Sequence, residues 1–243
     1  SEAVQAVCVS RDGRLTVTGG ANGEVRVFAA DALDKPVVLA EQPGPVTALD
    51  FNADESIILS GSATGFVKAW TAAEAASAFQ WQAHAGPITG VATFSVEKAD
   101  ADSPLLATTG EDGTLRIWNR LQAAAPLESF SQQITNLVTS RDGKRLATSG
   151  LLNSRPAVVV RDLESGSRIT TLLGHAAPVR AMQFSVDGEK LVTGSDDKTA
   201  RVWDLTDAKF PELARFQHEV AVTAVTLNAD ATMAVSGAAD NSL

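Results

Sequence analysis

The stretch "LVTGSDDKTARVWDL", residues 191–205, decides the fold. An apolar pair, Leu191 and Val192, leads into Thr193-Gly194; the acidic doublet Asp196-Asp197 makes a turn; alternating residues then run to Val202-Trp203-Asp204-Leu205. Period-two alternation on both sides of a turn reads as two strands and a hairpin. Reduced copies of the phrase occur along the chain: "LTVTGGANGEVRVF" at 15–28, "IILSGSATGFVKAW" at 57–70 and "LLATTGEDGTLRIWN" at 105–119. Chemistry has no need of a nucleophile beside every repeated strand, whereas a scaffold repeats by construction.

Aligned on the first apolar residue of each repeat, the copies start at Val4, Val46, Ile88, Ile134, Val179 and Val222, with successive differences of 42, 42, 46, 45 and 43. Several short alternating strands per period of this length are the signature of β-propeller blades. Each repeat opens with an alternating segment such as "VTALDF", "ITGVATF" or "VRAMQFS" and then turns, at "SRDG" 10–13 and 140–143 and at "SVDG" 185–188. Asp followed by Gly suits a tight hairpin, because Gly accepts positive φ and Asp bonds back to the chain. A second strand ending in Thr or Ser, a second turn, a third strand ending in Trp or Phe and a weaker outer strand such as "KPVVLAEQ" complete four strands per repeat. The Ala-rich "TAAEAASAF" at 71–79 falls where a connection between strands is expected, and "LLNSRP" is expected to enlarge the second turn of the fourth repeat.

With 243 residues, 44% of them hydrophobic, the chain is expected to be one globular domain, 1–243. A net charge of −9 and scattered Lys and Arg argue against nucleic acid and anionic membranes, both of which need clustered cations. The single cysteine, Cys8, has no disulfide partner and reads as a small hydrophobe in a strand. There is no apolar run of about 18 residues and no basic-then-apolar leader, so neither a membrane-spanning helix nor a signal peptide is read in this chain; the compartment is left open, with a soluble, cytoplasmic one favoured.

The Gly174-His175 pair, the "SVDG" turn, the Asp197 turn and the closing Trp203-Asp204 resemble the WD-repeat β-propeller family, and the resemblance covers essentially the whole chain. The fold class expected is all-β: a WD-repeat propeller with five complete four-stranded blades and a partial sixth. Such propellers close with strands from both termini. Val4 opens an innermost strand with nothing before it and Leu243 falls at the start of a third strand, so part of a longer, seven-bladed propeller is expected, its missing strands supplied by the parent chain or another chain. A six-bladed ring is the alternative, and the Val4–Val222 distance separates the two.

His175, Thr193, Asp197 and Trp203 look like a catalytic triad with an indole beside it, and the third repeat offers the same set in His84, Thr108, Asp112 and Trp118. The chemistry also satisfies itself: indole N–H only donates, a hydroxyl accepts it and passes a bond on, and neutral histidine accepts on one nitrogen while donating to the carboxylate from the other. The resemblance implies a structural network at these positions, tying the loop before the first strand to the second and third strands. The second repeat has Gln42, Ser60, Thr64 and Trp70 in the four places; the first keeps Thr18, with Asn22 and Phe28; the fourth keeps Thr148 among Phe130, Leu152 and Arg161; the sixth has His218, Ser236 and Asp240.

A calcium site among Glu97, Asp100 and Asp102 of "VEKADADSP" lacks the glycine and late glutamate such a loop needs, so a solvated acidic loop is the better reading. Trp81 reads as edge packing on an outer strand. With three histidines, no CxxC and no phosphate-cradling loop, no cofactor, metal or catalytic residue is expected. The function expected is a non-catalytic scaffold whose loop face docks a protein or peptide, through Glu111, Arg155, Arg180 and Asp196. A lyase or hydrolase with a site at the central channel is the alternative, but the inner strands read mostly small or apolar.

Overall fold

The computed structural model describes residues 3–10, 12–39, 41–52, 55–71, 76–94, 105–119, 122–123, 128–129, 134–207, 209–240 and 242. Six antiparallel sheets form in chain order. The first holds β1 (Val4–Val9), β2 (Leu15–Gly20), β3 (Val25–Ala29) and β4 (Val37–Leu39), and the second β5 (Val46–Phe51), β6 (Ile57–Ser62), β7 (Phe66–Thr71) and β8 (Ala76–Gln82). The third holds β9 (Ile88–Phe94), β10 (Leu105–Gly110) and β11 (Thr114–Asn119), with β12 (Gln122–Ala123) and β13 (Glu128–Ser129) both paired to β11. The fourth comprises β14 (Asn136–Thr139), β15 (Arg145–Leu152), β16 (Arg155–Asp162) and β17 (Arg168–Leu173). The fifth comprises β18 (Val179–Phe184), β19 (Lys190–Ser195), β20 (Thr199–Asp204) and β21 (Glu212–Gln217), and the sixth β22 (Val222–Leu227) and β23 (Ala234–Ala238). The first three sheets lie in one compact unit, Ser1–Ser129, and the last three in another, Phe130–Leu243.

Turn chemistry sets the meander. Ser10 Oγ donates to Asp12 Oδ1 at 2.7 Å, the same oxygen accepts the Arg14 N–H at 2.9 Å, and Gly13 follows at φ 71°. Ser140-Asp142-Gly143 and Ser185-Asp187-Gly188 repeat the arrangement, each glycine again at φ 71°.

The core lies between successive sheets within each unit. Val17, Val25, Leu39, Val46, Ile58 and Trp70 form one cluster, and Leu59, Val67, Ile88, Leu106 and Trp118 the next. In the other unit Val160, Leu172, Val179, Phe184, Leu191 and Trp203 cluster in the same way. Glycines on the second strands let the sheets approach: a Cβ on Gly19 would fall 2.2 Å from Val46 Cγ1, one on Gly61 2.5 Å from Ile88 Cγ2, and one on Gly194 2.7 Å from Val222 Cγ1. At these three junctions the first apolar residue of a repeat is a peg in a glycine socket of the repeat before it. In the fourth sheet Ser149 stands at the socket and bonds Thr135 at 2.9 Å instead.

Two expectations are corrected. "LLNSRP" does not enlarge a turn: β15 and β16 pair out to Leu152↔Arg155, and Asn153 and Ser154, at φ 51° and 62°, close a two-residue hairpin. Positive φ at both central residues is the primed turn whose twist matches the strands, so the extra residues lengthen the hairpin. In the Ala-rich 71–79, β8 already begins at Ala76, while 72–75 lie outside the described residues. In the third sheet β12 and β13 each pair with β11, and 124–127 lie outside the described residues. The acidic stretch 96–104 and Phe130 also lie outside the described residues.

Candidate functional site

In the fifth blade β19 carries Thr193, β20 carries Trp203, and the turn between them carries Asp197; His175 precedes β18. Trp203 Nε1 donates to Thr193 Oγ1 at 3.0 Å, Thr193 Oγ1 meets His175 Nε2 at 2.8 Å, and His175 Nδ1 meets Asp197 Oδ2 at 2.8 Å. A carboxylate only accepts, so Nδ1 carries the proton and Nε2 accepts from the threonine hydroxyl. Asp197 also takes the Ala176 N–H at 2.9 Å and both the N–H and hydroxyl of Thr199, at 2.9 and 2.7 Å. The third blade repeats this geometry: Trp118 Nε1 to Thr108 Oγ1 at 2.8 Å, Thr108 to His84 Nε2 at 2.8 Å, and His84 Nδ1 to Asp112 at 3.0 Å. Thr108, Thr193, His84 and His175 are all buried.

Burial is the largest influence on both imidazoles and lowers their pKa, against the upward pull of Asp112 and Asp197; each ring is neutral at pH 7. Burial by itself would raise Asp197, but the bonds from Thr199, the Ala176 N–H and His175 outweigh it and hold the carboxyl well below the usual carboxylate range. Burial, then the Asp50 carboxylate, push the Cys8 thiol up to about 12, so it stays a thiol packed beside the first core cluster.

The other blades depart from this pattern in graded steps. In the second, Trp70 Nε1 donates to Ser60 Oγ at 3.0 Å and Ser60 donates to Gln42 Oε1, so a neutral amide takes the imidazole's place; Thr64 Oγ1 donates to Pro43 O at 2.7 Å. In the sixth, His218 Nε2 meets Ser236 Oγ at 2.7 Å, but Asp240 spends its carboxylate on the Ser242 N–H and hydroxyl, and no hydrogen bond joins it to His218. In the first, Asn22 bonds Glu24. In the fourth, Thr148 Oγ1 is buried with no partner among the described residues; Arg161 turns away and donates to Gly166 O at 2.8 Å, and Leu152 lies in the hairpin extension.

Two of the four candidate docking residues form a pair. Arg180 and Asp196 meet each other: Nε and Nη2 donate to Asp196 Oδ2 at 2.8 and 2.6 Å, with the arginine side chain 50% exposed. Glu111 is exposed in the turn before β11, and Arg155 is exposed on β16. Trp81 lies on outer strand β8, its ring 5.6 Å from those of Phe79 and Trp118. Sequence reasoning missed the basic residue two places before each closing aromatic: Arg26, Lys68, Arg116 and Arg201. Arg201 is 5% exposed and bonds Glu212 at 2.9 Å. Its signal was in plain view, as "RVF", "KAW", "RIW" and "RVW". Among the described residues no group of three or more His, Cys, Asp or Glu side chains is placed to hold a metal, and no helix is long and apolar enough to cross a membrane.

A family model described as "WD domain, G-beta repeat" matches residues 1–28, 36–71, 77–119 and 166–204, more than half of the chain. The chain therefore belongs to the WD-repeat family, and its sheets are blades of the propeller type. Protein SPA1-RELATED 3 of Arabidopsis thaliana is 26% identical over 217 residues, 85% of this chain and 25% of that protein. WD repeat-containing protein srw1 of Schizosaccharomyces pombe is 28% identical over 177 residues, 71% of this chain and 30% of that protein. Target of rapamycin complex subunit wat1, from the same yeast, is 34% identical over 116 residues, 46% of this chain and 36% of that protein. The chain thus spans between a quarter and about a third of the length of these relatives. The family is broadly one of non-catalytic scaffolds for protein interaction.

Proposed function

We propose that this chain is a non-catalytic scaffold, a single propeller domain over 1–243, and that the turns between second and third strands present charge to a basic peptide or protein segment. The observation that carries the reading is where the reactive side chains go. Each histidine is bonded to a hydroxyl within its own blade, at 2.8, 2.8 and 2.7 Å, so groups that would be nucleophile and base are spent on the fold. The carboxylates one residue before the clamp aspartates, Glu111 and Asp196, stand outside that network and reach solvent, and a basic partner would compete with Arg180 for Asp196. The relative whose name places it in a complex supports a protein partner.

Exposed charges at a rim steer association more than they hold it. Fluorescence anisotropy against an array of Lys- and Arg-containing peptides tests this: the Glu111→Lys, Asp196→Lys double variant should lose binding at low salt and show a shallower salt dependence. Unchanged affinity and salt slope, with an unchanged melting temperature, would place the docking surface elsewhere.

A further inference from the structure

Three of the basic residues on the third strands face an acid. Arg26 Nε lies 2.6 Å from Glu24 Oε1, Arg116 Nη2 3.7 Å from Asp112 Oδ2, and Arg201 Nη2 3.6 Å from Asp197 Oδ2. Lys68 is built differently. It is 8% exposed, its Nζ donates to Glu41 O at 2.9 Å and lies 4.1 Å from the centroid of the Trp70 ring, and no carboxylate among the described residues comes within ion-pairing distance. A buried ammonium held by one carbonyl and one ring face is short of an anion. Burial accordingly lowers its pKa.

The missing anion has an address. Asp112 precedes Arg116 by four residues and Asp197 precedes Arg201 by four; four residues before Lys68 stands Thr64, an exposed threonine at the carboxylate position of its blade. Its Oγ1 donates to Pro43 O at 2.7 Å, two residues along from the carbonyl that holds Lys68. Between them Gln42 Nε2 makes only a long bond, 3.3 Å, to Gly61 O. A hydroxyl that can be made anionic thus shares one short segment with a buried cation and an underused amide donor.

We propose that Thr64 is a phosphorylation site, and that phosphothreonine supplies the second blade with the anion that Asp112 and Asp197 supply to theirs. A protein kinase and a nucleoside triphosphate are the co-reactants. Thr64 Oγ1 attacks the γ-phosphorus, the bond from that phosphorus to the bridging oxygen breaks, the hydroxyl proton passes to the kinase's base, and the nucleoside diphosphate leaves. The product carries a charge of about −1.5 to −2 and three acceptor oxygens for Lys68 Nζ and Gln42 Nε2.

The test installs phosphothreonine at position 64 of the full chain and follows its ³¹P titration. Lys68 should lower the second phosphate pKa by about one unit, a tenfold shift, from the free value of about 6, and Lys68→Met should restore it. Equal titrations in the two backgrounds would overturn the pairing. If the phosphorylated chain fails to fold, Thr64→Asp copies the other blades: a raised melting temperature supports the site and a lowered one contradicts it. Phosphopeptide mass spectrometry of the protein from its own cells, with phosphatases blocked, should recover a Thr64 phosphopeptide; recovery of the unmodified peptide alone would overturn the modification. None of these three readouts depends on the proposed docking surface.

Discussion

In the third and fifth blades one threonine oxygen both accepts, from tryptophan, and donates, to histidine, so an isostere without the hydroxyl breaks two bonds at once. Thr108→Val or Thr193→Val leaves a buried indole N–H and a buried imidazole nitrogen without partners and should cost about 1–3 kcal/mol in denaturant unfolding. Thr148→Val removes a hydroxyl that has no partner among the described residues and should be neutral or stabilising. Asp197→Ala should likewise cost about 1–3 kcal/mol, whereas Asp240→Ala, at an exposed carboxylate that among the described residues bonds Ser242, should stay within about 0.5 kcal/mol. On the acid side of neutrality these groups act with one sign. His84 and His175 have folded pKa values below their unfolded ones, so the folded state binds fewer protons and stability falls as pH drops below about 6.5. Asp197, also depressed, adds a loss in the same direction only below about pH 4. Melting temperature should therefore decline from pH 7 to 5. His175→Gln, copying the Gln42 arrangement, should flatten that decline, and an unchanged slope would show that another group titrates.

At the scale of strands and turns, glycine placement separates blade contacts from turn conformations. Gly61→Ala drives a methyl against Ile88 at the junction of two blades and should cost about 1–3 kcal/mol by overpacking. The turns between second and third strands hold Gly23, Gly65 and Gly113 at φ 87°, 85° and 73°, but the fifth blade holds Lys198 at φ 71°. A side chain in the left-handed region is strained, so Lys198→Gly should raise stability by about 0.5–1 kcal/mol despite the added freedom of the unfolded chain. A fall in melting temperature would mean that the lysine side chain contributes more than the strain removes.

Over the whole molecule, what could be read from the sequence was whatever repeats. The starts from Val4 to Val222, the Ser-x-Asp-Gly turns and the His–Thr–Asp–Trp sets recur, and recurrence separates a structural role from chemistry before any coordinate is known. What could not be read arose where one residue replaces another by a different bond. Gln42 stands in for an imidazole, Arg180 spends its charge on Asp196, and Asn153-Ser154 closes a tight hairpin where extra residues suggested a loop. Each depends on the partner across the strand, which alternation along the chain does not encode. The constellation that resembles a catalytic site ties the strands and turns of one blade together, so protection should follow clamp completeness. Native-state hydrogen exchange read by mass spectrometry across all blades measures this directly. Exchange should be slowest in β10–β11 and β19–β20, intermediate in β6–β7, and faster in β15–β16, where Thr148 Oγ1 has no partner among the described residues. Exchange in β15–β16 as slow as in β19–β20 would contradict it.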